Sequence, residues 1–249
     1  MPRKLSDPMY FASRRVGKAV GDYDMLNEGD KVLVAVSGGR DSMALLELLR
    51  YRQTIAPIHY DITALHVDLS IPDLAIDSLR DYFVREKISY HIEKVDPLKG
   101  KTWEEMDCFT CSRIRRKAFL EMAEKFGCNK IATGHHMDDI AETIVMNLFC
   151  RGEIGAMCPK QELFKGKYAI IRPLAYLKQR DVQGFIEADD IFYLKKNKCL
   201  KSEDSKRIML RHMLDDMEKE LPAVKKNIIR GLTNIKKDYL IDVFDDEEG

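Results

Sequence analysis

The sequence predicts an α/β fold: a parallel five-stranded sheet with helices on both faces, and helical additions at the N- and C-terminal ends. Three observations carry this expectation. Short apolar runs of strand length alternate along the chain with segments of helical period. The clearest run, Val32-Leu33-Val34-Ala35-Val36, is uninterrupted, as expected of a strand buried on both faces. The chain has 249 residues, 45% of them hydrophobic and 33% charged, which suits one large core with additions.

The elements follow in order. Residues 8–25 read as a helix, and Asn27-Glu28-Gly29-Asp30 as a turn into the first strand. Ser37-Gly38-Gly39 breaks that strand, and residues 43–49 are helical. Residues 62–67 are a second strand, 76–85 a helix and 89–95 a third strand. Residues 112–126 carry Ile114, Ala118, Met122 and Phe126 at spacing four, one face of a helix. Residues 130–132 start a fourth strand, 139–149 form a helix, and 168–172 form a fifth strand stopped by Pro173. From residue 178 the pattern is mostly helical. The expected organisation is an N-terminal helical extension over 1–30, a nucleotide-binding domain over 31–192 and a C-terminal helical region over 193–249. Alternating strands and helices imply right-handed crossovers and a ligand edge at the carboxyl ends of the strands. Every motif below falls at such an end.

Composition narrows the function classes. No apolar run approaches membrane-spanning length, and the polar start after Met1 carries no apolar leader region, so a cytoplasmic protein with no membrane partner is expected. In that setting the six cysteines are thiols or metal ligands in preference to disulfides. The net charge is zero, with 41 basic and 41 acidic residues. Such balance speaks mildly against nucleic acid, but an acidic tail at Asp245-Asp246-Glu247-Glu248 offsets basic clusters elsewhere.

Ser37-Gly38-Gly39-Arg40-Asp41-Ser42 joins the first strand to its helix. Two glycines let a phosphate approach the backbone, and the helix start supplies N–H groups and a favourable dipole. Ser37 and Ser42 add hydroxyls, and Arg40 adds charge. The spacing matches neither a Walker A loop nor a dinucleotide fingerprint. Asp41 suits a magnesium ion bridging to phosphate oxygens. The plainer reading is a tight turn with a capped helix.

Thr133-Gly134-His135-His136-Met137-Asp138-Asp139 follows the fourth strand. It brings two imidazoles and two carboxylates to the same edge, where Asp138 and Asp139 can hold magnesium or position a base. The plainer reading here is a helix start capped by Asp138.

Cys108-Phe109-Thr110-Cys111 lies between the third strand and the helix expected from residue 112. Two thiols at this spacing can share one metal centre, and Cys199 is the best third ligand. Cys128, Cys150 and Cys158 read as ordinary thiols. Spacing alone leaves open a redox or structural pair, a zinc site completed by His212, and an iron–sulfur cluster.

The hexapeptide Ser37 to Ser42 resembles the pyrophosphate-binding loop of the PP-loop ATPases, which cleave ATP between the α- and β-phosphates. Gly134-His135-His136-Met137-Asp138-Asp139 resembles the second motif of the RNA-modifying members of that superfamily. The segment from Cys108 through Arg116 is similar to the cysteine motif of the tRNA 2-thiocytidine synthetases, and Ile171-Arg172-Pro173-Leu174 is similar to a further motif of theirs. The likeness runs from about residue 14 to 214. It implies ATP and Mg2+ at Ser37, Gly38, Gly39, Arg40, Asp41 and Ser42, with Gly134, His135 and Asp139 beside them. Adenine would lie near His66 and Val67, and Asp41 and Asp138 would be catalytic. It also implies a 4Fe–4S cluster on Cys108, Cys111 and Cys199, with one iron free of protein ligands. Two positions depart from the family pattern: Arg40 stands where bacterial members usually have Lys, and Lys196 stands where they usually have a second cysteine.

The implied activity is ATP-dependent tRNA sulfur transfer. A base oxygen is adenylated and replaced by sulfur, with cytidine in the anticodon loop as the base. The implied partners are tRNA and a sulfur donor (a cysteine desulfurase or sulfide), and a homodimer is an option. Arg113, Arg116 and Lys117 share a helical face, with Arg115 nearby, and would draw RNA toward the cysteines. Arg14, Arg15 and Lys18 form a second candidate patch, and Arg207 with Arg211 a third. Phe109 and Trp103 are candidate base stackers. The rival readings are a lysidine synthetase-like ligase, a uridine-thiolating relative and a non-catalytic metal-bound RNA-binding module. The uridine thiolators carry extra zinc-binding cysteine pairs that this sequence does not have.

Overall fold

A computed structural model describes residues 6–70, 75–98, 107–194 and 206–239, apart from the Cys108 side chain. Strand β1 (Asp30–Ala35) lies inside the sheet, between β2 (Tyr60–Asp68) and β4 (Lys130–Ala132). The full order adds β3 (Tyr90–Lys94) outside β2, then β6 (Tyr168–Ile171) and β5 (Lys160–Leu163) beyond β4. Five strands are parallel, as expected. The sixth, β5, pairs antiparallel with β6 at the edge and was not expected. Its sequence, Lys160-Gln161-Glu162-Leu163, is mostly polar and two of its residues are exposed, so no apolar run announces it. An edge strand needs no second buried face.

Two helical layers cover the sheet because β1 alternates its side chains. Val32 and Val34 face a core built by α1 (Asp7–Asp22), α2 (Arg40–Gln53), α3 (Ile76–Arg85) and α6 (Gln179–Ala188). Leu33 faces the opposite way, onto Ala118, Met122 and Ala123 of α4 (Cys108–Lys125). A third group of helices sits beside these layers: α5 (Met137–Arg151) packs against α7 (Lys206–Glu220) and α8 (Val224–Gly231).

Helix α4 starts at Cys108, four residues before the expected 112. Asp107 is its N-cap, accepting the Thr110 N–H at 2.7 Å. The cysteine pair therefore forms the first turn of the helix and is not a loop before it. Helix α5 likewise starts at Met137. His136 is its N-cap, and the Asp139 carboxylate accepts the His136 N–H at 3.0 Å, so Asp138 does not cap it.

The chain leaves β1 toward β2 on one side, and β4 lies on the other. The crevice between the loops after β1 and β4 is therefore a topological switch point, where such sheets bind ligands. Among the described residues, no helix is long and apolar enough to cross a membrane.

Candidate nucleotide and cysteine site

The loop after β1 is closed by its own serines. The Ser42 hydroxyl donates to the Gly39 carbonyl at 2.9 Å and accepts the Ser37 N–H at 3.2 Å. The Ser37 hydroxyl lies 3.1 Å from that of Ser42 and accepts the Gly39 N–H at 3.2 Å. Gly38 has φ +84, and a Cβ there would come within 2.5 Å of Leu194, whose N–H donates to the Gly38 carbonyl. Both the dihedral and the close approach require glycine. Gly39 is the N-cap of α2 and has no side chain to cap the first N–H groups, which suits an anion at that end.

The second loop presses against the first. A Cβ on Gly134 would lie 3.0 Å from the Asp41 backbone, so glycine lets the two loops meet. Between them opens a cleft of about 310 Å³, within the size range of small-molecule sites. Ser37, Gly39, Asp41 and Ser42 form one wall, and Gly134, His135 and Asp139 form another. His66, Val67, Leu69 and Phe119 give a mixed, largely apolar end. Of the residues singled out from sequence, Gly38 and Arg40 support the loop without lining the cleft. Arg40 lies over the Tyr193 ring, 5.6 Å from its centre.

Three titratable groups in the cleft are shifted. Burial pushes the Asp41 carboxyl up, and the neighbouring Asp139 adds to this, while His136, Arg40 and Arg211 oppose it. Burial pushes His66 down, against its contact with the Val36 carbonyl at 2.8 Å. His66 is 2% exposed, and its Nε2 has no partner, so the ring offers one free polar atom at the cleft. Burial lowers His135 to about 4, with Arg172, Arg207 and His136 contributing and Asp139 opposing. His135 is therefore neutral at pH 7, its Nδ1 beside the Thr133 hydroxyl at 2.9 Å.

Asp138 is not brought into the cleft. Its carboxylate turns toward α8, 2.5 Å from Lys225 Nζ, and accepts the Gln179 N–H at 2.8 Å. Burial works to raise its pKa, but these partners hold it below the usual carboxylate range. Asp138, Asp215 and Glu218 are the one trio of closely spaced carboxylate, thiol or imidazole groups among the described residues. Lys225 contacts all three, at 2.5, 2.6 and 3.2 Å, and supplies the cation the trio would otherwise need.

Cys111 is a free thiol, half-buried in the first turn of α4. Arg115, one turn on, donates to its Sγ at 3.5 Å and also lines the nucleotide cleft. A helix N-terminus and a guanidinium are surroundings that suit a metal-bound thiolate, so the donor chemistry fits a cluster. Asp41 and Asp139 place two carboxylates, a donor type that suits magnesium, in the lining of one cleft. Cys199, Lys195, Lys196, Lys198 and Trp103 lie outside the described residues, as does the Cys108 side chain. Cys128 is buried, while Cys150 and Cys158 are exposed. Arg113, Arg115, Arg116 and Lys117 are all exposed on α4, as is Phe109.

The other two basic patches are largely committed elsewhere. Arg15 donates to the Tyr176 carbonyl at 3.0 Å, and Lys18 pairs with Asp22 at 2.7 Å. Arg207 and Arg211, each still about a third exposed, pair with Glu142 and Asp139. Sequence reasoning missed Phe119 and Glu142. Each had a signal: Phe119 lies four residues after Arg115, and Glu142 three after Asp139, so each shares a helical face with a named site residue.

The PP-loop domain model matches residues 10–218. Curated proteins named tRNA-cytidine(32) 2-sulfurtransferase are similar over most of the chain. The one from Paraburkholderia phymatum is 37% identical, covering 92% of this chain and 70% of its own length. That from Pseudomonas syringae pv. syringae is also 37% identical, covering 92% and 85%. Among solved structures, the U34-tRNA thiolase from Methanococcus maripaludis, with its 4Fe–4S cluster, has a TM-score of 0.76. It is 26% identical, over 92% of this chain and 80% of its own. An NH3-dependent NAD synthetase from Campylobacter jejuni (TM-score 0.50, 14% identity, covering 96% of this chain and 100% of its own) shares the fold. The chain thus belongs to the PP-loop domain family, and within it to the family of the tRNA-cytidine(32) 2-sulfurtransferases.

Proposed function

We propose that this protein is an ATP-dependent tRNA sulfurtransferase that replaces the 2-oxygen of cytidine 32 with sulfur. One observation carries the reading: Arg115 lines the nucleotide cleft and also donates to Cys111 Sγ at 3.5 Å. Nucleotide chemistry and the cysteine turn thereby share one site, as a reaction joining base activation to sulfur transfer requires.

The N–H groups at the start of α2, with Ser37 and Ser42, hold the phosphates of ATP. Asp41 and Asp139 would hold Mg2+, and adenine would pack on Val67 and Leu69 with His66 Nε2 as its polar contact. The base oxygen attacks the α-phosphate, and pyrophosphate leaves into the loop. Adenylation turns a poor leaving oxygen into a good one. Neutral His135 stands beside this step as a group able to accept or donate a proton. Asp138, turned away from the cleft, acts by fixing α8 to α5. Cys108, Cys111 and Cys199 would hold a 4Fe–4S cluster, which would carry sulfur taken from the donor; that sulfur bonds the base carbon as AMP leaves with the original oxygen. Arg113, Arg115, Arg116 and Lys117 receive the RNA backbone. Residues 31–192 act as the ATPase domain, 1–30 as its N-terminal extension, and 193–249 as the region delivering the third cysteine. The sulfur donor is a cysteine desulfurase or sulfide, and the compartment is cytoplasmic.

The test is product analysis with tRNA and labelled ATP on protein purified without oxygen. AMP and pyrophosphate, from protein that contains iron, are expected. ADP as product would refute the reaction class. Stoichiometric zinc without iron or turnover would favour a metal-bound RNA-binding module.

A further inference from the structure

The nucleotide cleft presents a physical problem. A polyphosphate must enter a cleft lined by two carboxylates, Asp41 and Asp139, while a third, Glu142, lies buried behind the lining on the same helix as Asp139 and is 1% exposed. Two carboxylates in the lining and a third buried behind them repel a polyanion, and burial strengthens the repulsion. One magnesium ion offsets part of this. The rest must come from the protein.

Helix α7 supplies it. Arg211 donates to Glu142 through Nε at 2.6 Å and through a second nitrogen at 3.0 Å. Arg207 Nε donates at 3.1 Å to Oε2 of the same carboxylate, the oxygen that also accepts the second Arg211 nitrogen. Both guanidinium groups also reach toward Asp139, at 3.6 Å for Arg207 and 4.0 Å for Arg211. The buried terminal nitrogen of Arg207 on that side has no hydrogen-bond partner, so it retains donor capacity next to the cleft. Leu210 and Leu214, 1% exposed, pack α7 on Ala141 and Val145 of α5 and fix the arginines in place.

We propose that Arg207 and Arg211 are positioning residues of the nucleotide site, which neutralise Glu142 and Asp139 from α7 and so set the charge that admits Mg–ATP. This rests on the nucleotide reading of the cleft and goes beyond it, by making ATP affinity depend on a helix outside the sheet. Neither arginine needs to touch the nucleotide. Each acts through a carboxylate. Removing either cation leaves Glu142 and Asp139 under-neutralised beside the phosphates, and removing Glu142 as well restores the balance.

Direct binding of Mg–ATP to the full chain by titration calorimetry tests this, with melting temperature as the control for folding. Arg207→Gln and Arg211→Gln should each weaken Mg–ATP roughly tenfold or more. Arg207→Lys and Arg211→Lys keep the charge and should stay within about threefold of wild type. Adding Glu142→Gln to Arg211→Gln should recover most of the lost affinity, a rescue that a merely structural role would not give. Wild-type affinity in both Gln variants would overturn the proposal. So would equal losses in the Lys and Gln variants with no rescue by Glu142→Gln. If wild-type protein itself bound no Mg–ATP, the nucleotide reading would fail and this proposal with it.

Discussion

Gly38 shows how one residue can be fixed twice. Its φ of +84 excludes most side chains, and Leu194 fills the space a Cβ would need. Gly38→Ala should cost about 1–3 kcal/mol in urea unfolding and weaken ATP binding, because the phosphate loop must move to accept it. Asp41→Ala should behave differently. Burial raises the Asp41 carboxyl, so removing it relieves a desolvated group, and stability should hold while pyrophosphate release is lost. Wild-type turnover in Asp41→Ala would remove it from the mechanism. His135 makes a pH prediction whose sign is set by burial. Its folded pKa, about 4, lies below the ordinary 6.5. The neutral ring therefore contributes its full stability above pH 6.5, and this is lost as pH falls toward 4. Its ring resonance in NMR should be flat between roughly pH 8 and 5.5, whereas an exposed histidine would titrate near pH 6.5. The residues of the cleft were legible in the sequence because loop chemistry is local: serines, glycines and an aspartate at a helix start. The direction of Asp138 was not legible, because its partner Lys225 is 87 positions away.

Helix α4 joins the cysteine turn to the exposed stripe of Arg113, Arg116 and Lys117. If the RNA lies along this helix, replacing all three by Ala should weaken tRNA binding and reduce the salt slope by roughly two to three. Cluster content and Mg–ATP affinity should not change, since none of the three lines the cleft. An unchanged affinity and slope would leave the stripe as solvated surface. Helix α8 gives the contrasting case of a buried ion pair. Lys225 is 4% exposed and holds Asp138, which is 5% exposed. Lys225→Met should destabilise the protein by about 3–5 kcal/mol, because it leaves a buried carboxylate unpaired, and Asp138→Asn in the same chain should recover part of that. At this scale, strands with uninterrupted apolar runs were legible to within a residue or two. The start of α4 was not, because the Asp107 cap sets it and the helix-breaking look of the cysteine turn hid it. Nor was β5, whose polar edge carries no period that a buried strand would show.

In the whole molecule, the sheet order places the loops after β1 and β4 on either side of one switch point, and α4 brings the cysteine turn beside them. The alternation of strands and helices predicted that arrangement, since parallel crossovers leave few other topologies. It could not predict that Arg207 and Arg211 of α7 would pair with Glu142 and Asp139 of α5, because that depends on α5 and α7 meeting through Ala141, Val145, Leu210 and Leu214. In the proposed function, one cleft joins ATP cleavage to sulfur transfer onto cytidine 32 of tRNA. The most direct test is nucleoside mass spectrometry of tRNA treated with oxygen-free protein, ATP, Mg2+ and sulfide. The expected product is 2-thiocytidine at position 32, formed in step with AMP and absent without ATP. Thiolated uridine in its place, or 2-thiocytidine formed equally well without ATP, would contradict it.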